Sequence, residues 1–258
     1  MPPSPAADGA PLATAADHRL AVDMADDAGR LLLALREELA GADAATLKRE
    51  GDRRSHELLM ARVAAEAPGD AVLSEEGADE AARLGAARTW IIDPLDGTRE
   101  YGEPPRDDWA VHVALVAGGQ PVAGAVALPA QGVTLSTAEP AAGPGPVPDQ
   151  PRVIVSRSRP PAVALAVAEA LGARLVEMGS AGAKVAAVVR GAADVYAHAG
   201  GQYEWDSCAP VAVATAAGFH ASRIDGAPLA YNRPDPWLPD LLVCHPALAE
   251  QVLAVTRR

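Results

Sequence analysis

Apolar residues return at helical spacing through Leu20, Met24, Ala28, Leu31, Leu32, Leu35 and Leu39. This predicts a helix from near Asp17 that stops at Gly41. A second helix is expected from about Asp52 to Ala67, striped by Leu58, Leu59 and Val63 and ended by Pro68-Gly69. The pattern then changes to short apolar runs. Strands are expected at Ala71–Leu73, Thr89–Ile92, Trp109–Val116 and Val122–Leu128, the last two joined as a hairpin through Ala117-Gly118-Gly119-Gln120. The first half thus reads as helices followed by antiparallel strands. Residues 138–151, AEPAAGPGPVPDQP, have no periodicity and read as a linker. Beyond it, strands at Arg152–Ser156, Arg174–Glu177, Asp194–Ala197 and Leu241–Cys244 alternate with helices at Ala162–Leu171, Ala181–Val189 and about Ser207 to Ala217. A short helix closes the chain. Such alternation predicts an α/β layer.

Composition narrows the function. Aromatic residues make up 3% of the 258, too few for a base-stacking surface along single-stranded nucleic acid. The net charge of -12 repels a polyanion, which argues against nucleic-acid polymers as partners. No apolar stretch is long enough to span a membrane. The first 16 residues lack a basic start and an apolar run, so they read as a disordered tail rather than a signal peptide. Cys208 and Cys244 have no metal-type or redox-type spacing and read as reduced thiols, which places the protein in the cytoplasm.

The chemistry concentrates in Trp90-Ile91-Ile92-Asp93-Pro94-Leu95-Asp96-Gly97-Thr98. An apolar strand delivers Asp93 to its end, and Asp96 follows on the same turn. Two carboxylates so placed suit a hard divalent cation such as Mg²⁺. Gly97 lets the backbone approach a ligand closely. A helix opening at Gly97-Thr98 would add an anion site. Glu75-Glu76 and Glu204-Trp205-Asp206 also lie at element ends. Alone, the first is a solvated turn and Asp206 a helix cap. Together with Asp93 and Asp96 they suggest one acidic site. Ser156-Arg157-Ser158-Arg159 follows a strand and offers cations for a second phosphate, or is a basic surface loop. His112, Tyr231 and Trp237 read as packing residues.

LSEE, WIIDPLDGT and EWDSCAP, in this order, resemble the signatures of the inositol monophosphatase-like superfamily of metal-dependent phosphatases. GDAVLSEE, DPLDGTREY, RDDWAVHVAL, GSAGAK, HAGGQYEWDS and YNRPDPWLPDLL look most like the CysQ-type 3′(2′),5′-bisphosphate nucleotidases of actinobacteria. The resemblance implies Glu75, Asp93, Asp96, Asp206 and the Leu95 carbonyl as metal ligands. It implies Glu75 and Thr98 as the pair that orients the attacking water. Gly97 and Thr98 would bind the phosphate. Asp52 would support Thr98, although the flanking Leu47-Lys48-Arg49-Glu50 departs from the family pattern in what would be a mobile loop. Gly179, Ser180 and Ala181 match a sugar-contacting segment, Lys184 adds charge one turn on, and Arg157 and Arg159 lie where similar nucleotidases bind nucleotide.

The fold class expected is α/β, a layered αβαβα sandwich. Residues 17–138 would form an α+β half with an antiparallel sheet and most metal ligands. Residues 139–151 would be the linker, and residues 152–258 a smaller α/β half with the last ligand. The metals would sit between the halves. The function implied is a phosphomonoesterase using two or three Mg²⁺ ions and water to hydrolyse adenosine 3′,5′-bisphosphate, with 3′-phosphoadenylyl sulfate as a further candidate. The partner is thus a small phosphate ester, with a homodimer as the candidate assembly. The alternatives are inositol monophosphate or fructose 1,6-bisphosphate on the same site, or a non-catalytic metal-binding module. Carboxylates scattered from Glu75 to Asp206 argue against the last, because a calcium-sensor loop holds its ligands within twelve residues.

Overall fold

Thr14 caps the first helix, α1 (Ala15–Glu38), through reciprocal bonds with Asp17. The structure, a computed structural model, describes residues 12–257. Residues 1–11 of the expected tail lie outside the described residues, and the helix starts two residues before Asp17. Helix α2 (Ala44–Glu66) starts well before Asp52, capped by Asp43, so Leu47–Glu50 is helical rather than a loop. Its buried positions Leu47, Gly51, Ser55, Leu59 and Val63 fall four residues apart. Two of them are not apolar, which hid the front of the helix from a hydrophobic pattern.

The first sheet has the order β1 (Ala71–Ser74), β2 (Arg88–Asp96), β3 (Ala110–Ala117), β4 (Gln120–Leu128), β5 (Val133–Ser136). The expectation of an antiparallel sheet needs correcting. β1 runs parallel to β2, because the chain crosses over between them instead of turning back in a hairpin. The remaining pairs are antiparallel. A one-turn helix, α3 (Thr98–Tyr101), follows β2.

Residues 137–151 hold neither helix nor strand and lead to the second sheet. Its elements are β6 (Arg152–Ser156), α4 (Ala162–Leu171), β7 (Arg174–Met178), α5 (Ala181–Val189), β8 (Val195–Tyr203), α6 (Glu204–Ala216), β9 (His220–Ser222), β10 (Trp237–Cys244) and α7 (Ala249–Thr256). The strand order is β7-β6-β8-β10-β9, parallel from β7 to β8 and antiparallel beyond.

Five layers result. α1 and α2 cover the outer face of the first sheet, α5 and α6 lie between the sheets, and α4 and α7 cover the outer face of the second. Three cores fill the contacts between the layers. Met24, Leu32, Leu59, Trp90 and Trp109 fill the first, and Val153, Val155, Val167, Leu242 and Val252 the last. The middle core draws on both sheets, with Ile91 and Val126 beside Ile154, Val188, Val213 and Val243. Small side chains on α5 and α6, such as Ala183, Ala186, Ala209 and Ala214, let two helices fit between two sheets.

Candidate active site

The middle layer brings the separated acids together. β2 pairs with β3 up to Asp93, slips register, and pairs again at Asp96. This bulge turns both carboxylates the same way. Asp93 accepts from the Leu95 amide at 3.0 Å, which fixes the turn. α6 begins at Glu204, so Asp206 lies inside its first turn rather than at the cap, and accepts from Tyr203 N at 2.6 Å. Oxygens of Asp93, Asp96 and Asp206 come within 4.8 Å of one another. Glu75 follows β1, which lies beside β2; the residue is exposed, but its carboxyl tip meets Asp93.

Crowded, partly dehydrated carboxylates resist ionisation. Burial, then the charges of Glu75, Asp96 and Asp206, push Asp93 well above the usual carboxylate range. Burial pushes Glu75 up to about 7, with Asp206 and Asp96 adding repulsion. Asp206 rises to about 6 through burial and the charge of Asp96. Asp96 goes the other way. Burial alone would raise it, but His112, Ser180 and the Gly182 amide hold it down to about 2. It accepts from Ser180 Oγ, from Ala181 N at 3.2 Å and from Gly182 N at 2.6 Å, and so anchors the start of α5.

Thr98 Oγ1 lies 3.2 Å from Asp52 and 3.0 Å from the Leu95 carbonyl. Burial and the charge of Glu76 push Asp52 up to about 6. Gly97 takes a left-handed conformation at φ 84°, and a Cβ there would lie 2.9 Å from Ser180. The expected helix behind it is only α3, four residues long, so it supplies one turn of free amides.

His112 is the site residue that sequence reasoning missed. It is fully buried in β3 opposite Asp93. Nδ1 faces the Trp205 carbonyl at 3.0 Å, and Nε2 lies 3.1 Å from Asp96, off the line of an N–H donor. Burial, the largest influence, opposes its charge, but Asp96, the Trp205 carbonyl and Asp206 together outweigh burial, so its pKa is raised. A Cβ on Gly182 would lie 1.9 Å from Nε2. The available signal was one polar residue in the unbroken apolar run of β3, in register with the acidic strand end.

The basic residues behave differently from expectation. Arg157 binds Glu100 at 3.0 Å and Glu103 at 2.8 Å, so its charge is already used. Lys184 is buried, and Nζ donates to the Gly179 and Ser180 carbonyls rather than standing free. Burial lowers its pKa. Gly179 N donates to Asp108 at 2.7 Å, and a Cβ there would collide with Glu100. Arg159 makes no ion pair among the described residues. A cavity of about 560 Å³ joins these parts, lined by Asp96, Gly97 and Asp206 together with Arg157, Ser158 and Arg159.

The donor set is all oxygen, acidic and partly dehydrated, with the His112 imidazole in direct contact with it. It fits a hard divalent cation better than a soft metal. The family model for the inositol monophosphatase family matches residues 17–257, and the chain belongs to that family. Among its relatives, the 3′-phosphoadenosine 5′-phosphate phosphatase of Mycobacterium tuberculosis is 53% identical over 235 residues, covering 88% of each chain. That of Mycobacterium leprae is 49% identical over 253 residues, covering 93% of each. The crystal structure of CysQ from Bacteroides thetaiotaomicron superposes with a TM-score of 0.76 at 28% identity, over 91% of this chain and 98% of that one.

Proposed function

We infer that the protein is a metal-dependent phosphomonoesterase that hydrolyses the 3′-phosphate of adenosine 3′,5′-bisphosphate to give AMP and phosphate. The observation that carries this is the Asp93, Asp96 and Asp206 cluster, whose members Asp96 and Asp206 line a cavity that Arg159 also lines. Relatives about half identical in sequence and named for this substrate support it.

Glu75, Asp93, Asp96, Asp206 and the Leu95 carbonyl would hold two or three Mg²⁺ ions. Bound there, Mg²⁺ offsets phosphate charge, acidifies a water and stabilises the leaving oxygen. The residues do the rest. Asp52 fixes the Thr98 hydroxyl, and Thr98 with Glu75 orients the water. The Glu75 carboxyl, raised while no cation is bound, would be held ionised by the metal it ligates. Gly97 and Thr98 bring backbone amides to the phosphate. Gly179, Ser180 and Ala181 form the adjoining wall, shaped from behind by Lys184 and Asp96. With Arg157 occupied, Arg159 is the side chain left to meet the second phosphate. The nucleophile is water, and Cys208 is buried with its thiol pushed up by burial, unsuited to attack.

No helix among the described residues is long and apolar enough to cross a membrane, and a cytoplasmic setting is part of this reading. The test is phosphate release from adenosine 3′,5′-bisphosphate, inositol 1-phosphate and fructose 1,6-bisphosphate, with Mg²⁺ and with chelator. The nucleotide should give the highest kcat/KM, and the chelator should abolish turnover. A preference for either sugar phosphate would reassign the substrate, and turnover in chelator would reject the metal site. Light scattering on the same sample tests the homodimer.

A further inference from the structure

The cavity also offers a surface for a flat ring. The chain has only 4 Trp, 4 Tyr and 1 Phe. Trp90, Trp109, Tyr101, Tyr196, Tyr231 and Phe219 are buried, and Trp205 is partly so. The remaining two, Tyr203 at 46% and Trp237 at 43% exposure, are the exposed aromatics among the described residues. They are direct cross-strand partners in β8 and β10, and both line the cavity that Asp96 and Asp206 also line. Exposed aromatics confined to one concave spot mark a binding surface rather than random surface composition.

The local backbone keeps that surface open. Gly200 and Gly201 take positive φ values of 122° and 92°. A Cβ on Gly200 would meet nothing within 4 Å, so no side chain fills the space there. A Cβ on Gly201 would lie 2.6 Å from the Trp237 indole nitrogen, so only glycine lets the indole lie against β8. Tyr203 is steadied from its other side by stacking on Trp205, with ring centroids 4.7 Å apart and planes 10° apart. Its backbone amide is the donor to Asp206, which ties the aromatic surface to the acidic cluster.

We propose that Trp237, supported by Tyr203 and accommodated by Gly201, is the stacking platform for the purine base of the substrate and sets the preference for nucleotides over sugar phosphates. This rests on the nucleotide reading above, and it assigns a role to a residue that the sequence pattern had marked as packing. A base on an aromatic face is held by stacking, which needs no hydrogen bond to the base edge.

The test compares adenosine 3′,5′-bisphosphate with its baseless counterpart, 1,4-anhydroribitol 3,5-bisphosphate, in the parent, Trp237→Ala and Trp237→Phe. In the parent, kcat/KM should favour the base-bearing substrate by about tenfold or more. Trp237→Ala should collapse the ratio toward one, and Trp237→Phe should keep most of it. AMP should quench the parent's tryptophan fluorescence, and this quench should shrink in Trp237→Phe although binding persists. A ratio near one in the parent, or one unaltered by Trp237→Ala, overturns the platform while both bisphosphates are still turned over, and leaves the nucleotidase reading standing. A parent that cleaves neither bisphosphate but does cleave inositol 1-phosphate overturns both.

Discussion

Asp93 is fully enclosed, and its charged neighbours include Glu75, Asp96 and Asp206. Asp93→Asn therefore has two opposite effects. Phosphatase activity should fall by about a hundredfold or more, since an electrostatic group of the reaction is lost. The metal-free protein should melt at a higher temperature, because the amide needs neither a repelling charge nor the proton that Asp93 must take up on folding. Thermal melts in chelator check the second effect, and an unchanged or lower melting temperature would count against a repulsive cluster. His112 supports the site from behind, so His112→Asn should lower metal affinity or activity by about 10–100-fold. Calorimetric Mg²⁺ titration reads this without turnover. The acids were legible from motif order, because chemistry dictates their type. His112 was not, because a lone polar residue in an apolar strand is recognisable only once register places Asp93 beside it. The ion pairs of Arg157, which lines the cavity, were hidden for a related reason: Glu100 and Glu103, its partners, lie more than fifty positions away.

Helix α5 shows what one element does for the site. Ser180 caps it, accepting from Ala183 N at 2.9 Å, and its hydroxyl also donates to Asp96. Ser180→Ala should cost about 1 kcal/mol of stability through the cap alone. It should also free Asp96 to turn, seen as a raised Mg²⁺ requirement in kinetics at fixed substrate. Full activity at the parent's Mg²⁺ concentration would separate the cap from the site. The spans of α4 and α5 were readable to the residue, since Pro161, Ser180 and Gly172 mark their ends and their interiors are continuous good helix formers or apolar residues. β8 runs to Tyr203 rather than Ala197, because Gly200 and Gly201 imitate a turn but form only a bulge, and pairing with β10 resumes at Gln202. The three- and four-residue strands β9 and β5 carry too few positions for any period to show.

Across the molecule, the acids set how stability responds to pH. Glu75 rises from 4.5 to about 7, and Asp52 and Asp206 each rise from 3.8 to about 6. A raised carboxyl binds its proton more tightly folded than unfolded, so its stabilising effect is complete below about pH 4 and is lost as pH climbs to about 7. Asp96, lowered to about 2, has the reverse effect and loses its contribution below 3.8. Melting temperatures in chelator should therefore fall between about pH 4.5 and 7 relative to those with Mg²⁺. Added Mg²⁺ should raise melting more at pH 7.5 than at pH 5, and an equal rise at both would refute the cluster's raised affinity for protons. The five-layer order was readable as helices and strands on either side of a Pro-rich segment, but the parallel β1 was not, since strand direction depends on the path of the crossover. The middle core has its own consequence. Ile91 and Val126 from one sheet pack with Ile154 and Val243 from the other around α5 and α6, while residues 137–151 join the sheets without regular structure. Covalent continuity there is dispensable once the chain has folded. A protease nick between Gly143 and Gly145 should give two bands under denaturing conditions and a single native species, and neither fragment made alone should stay in solution with half of that core bare.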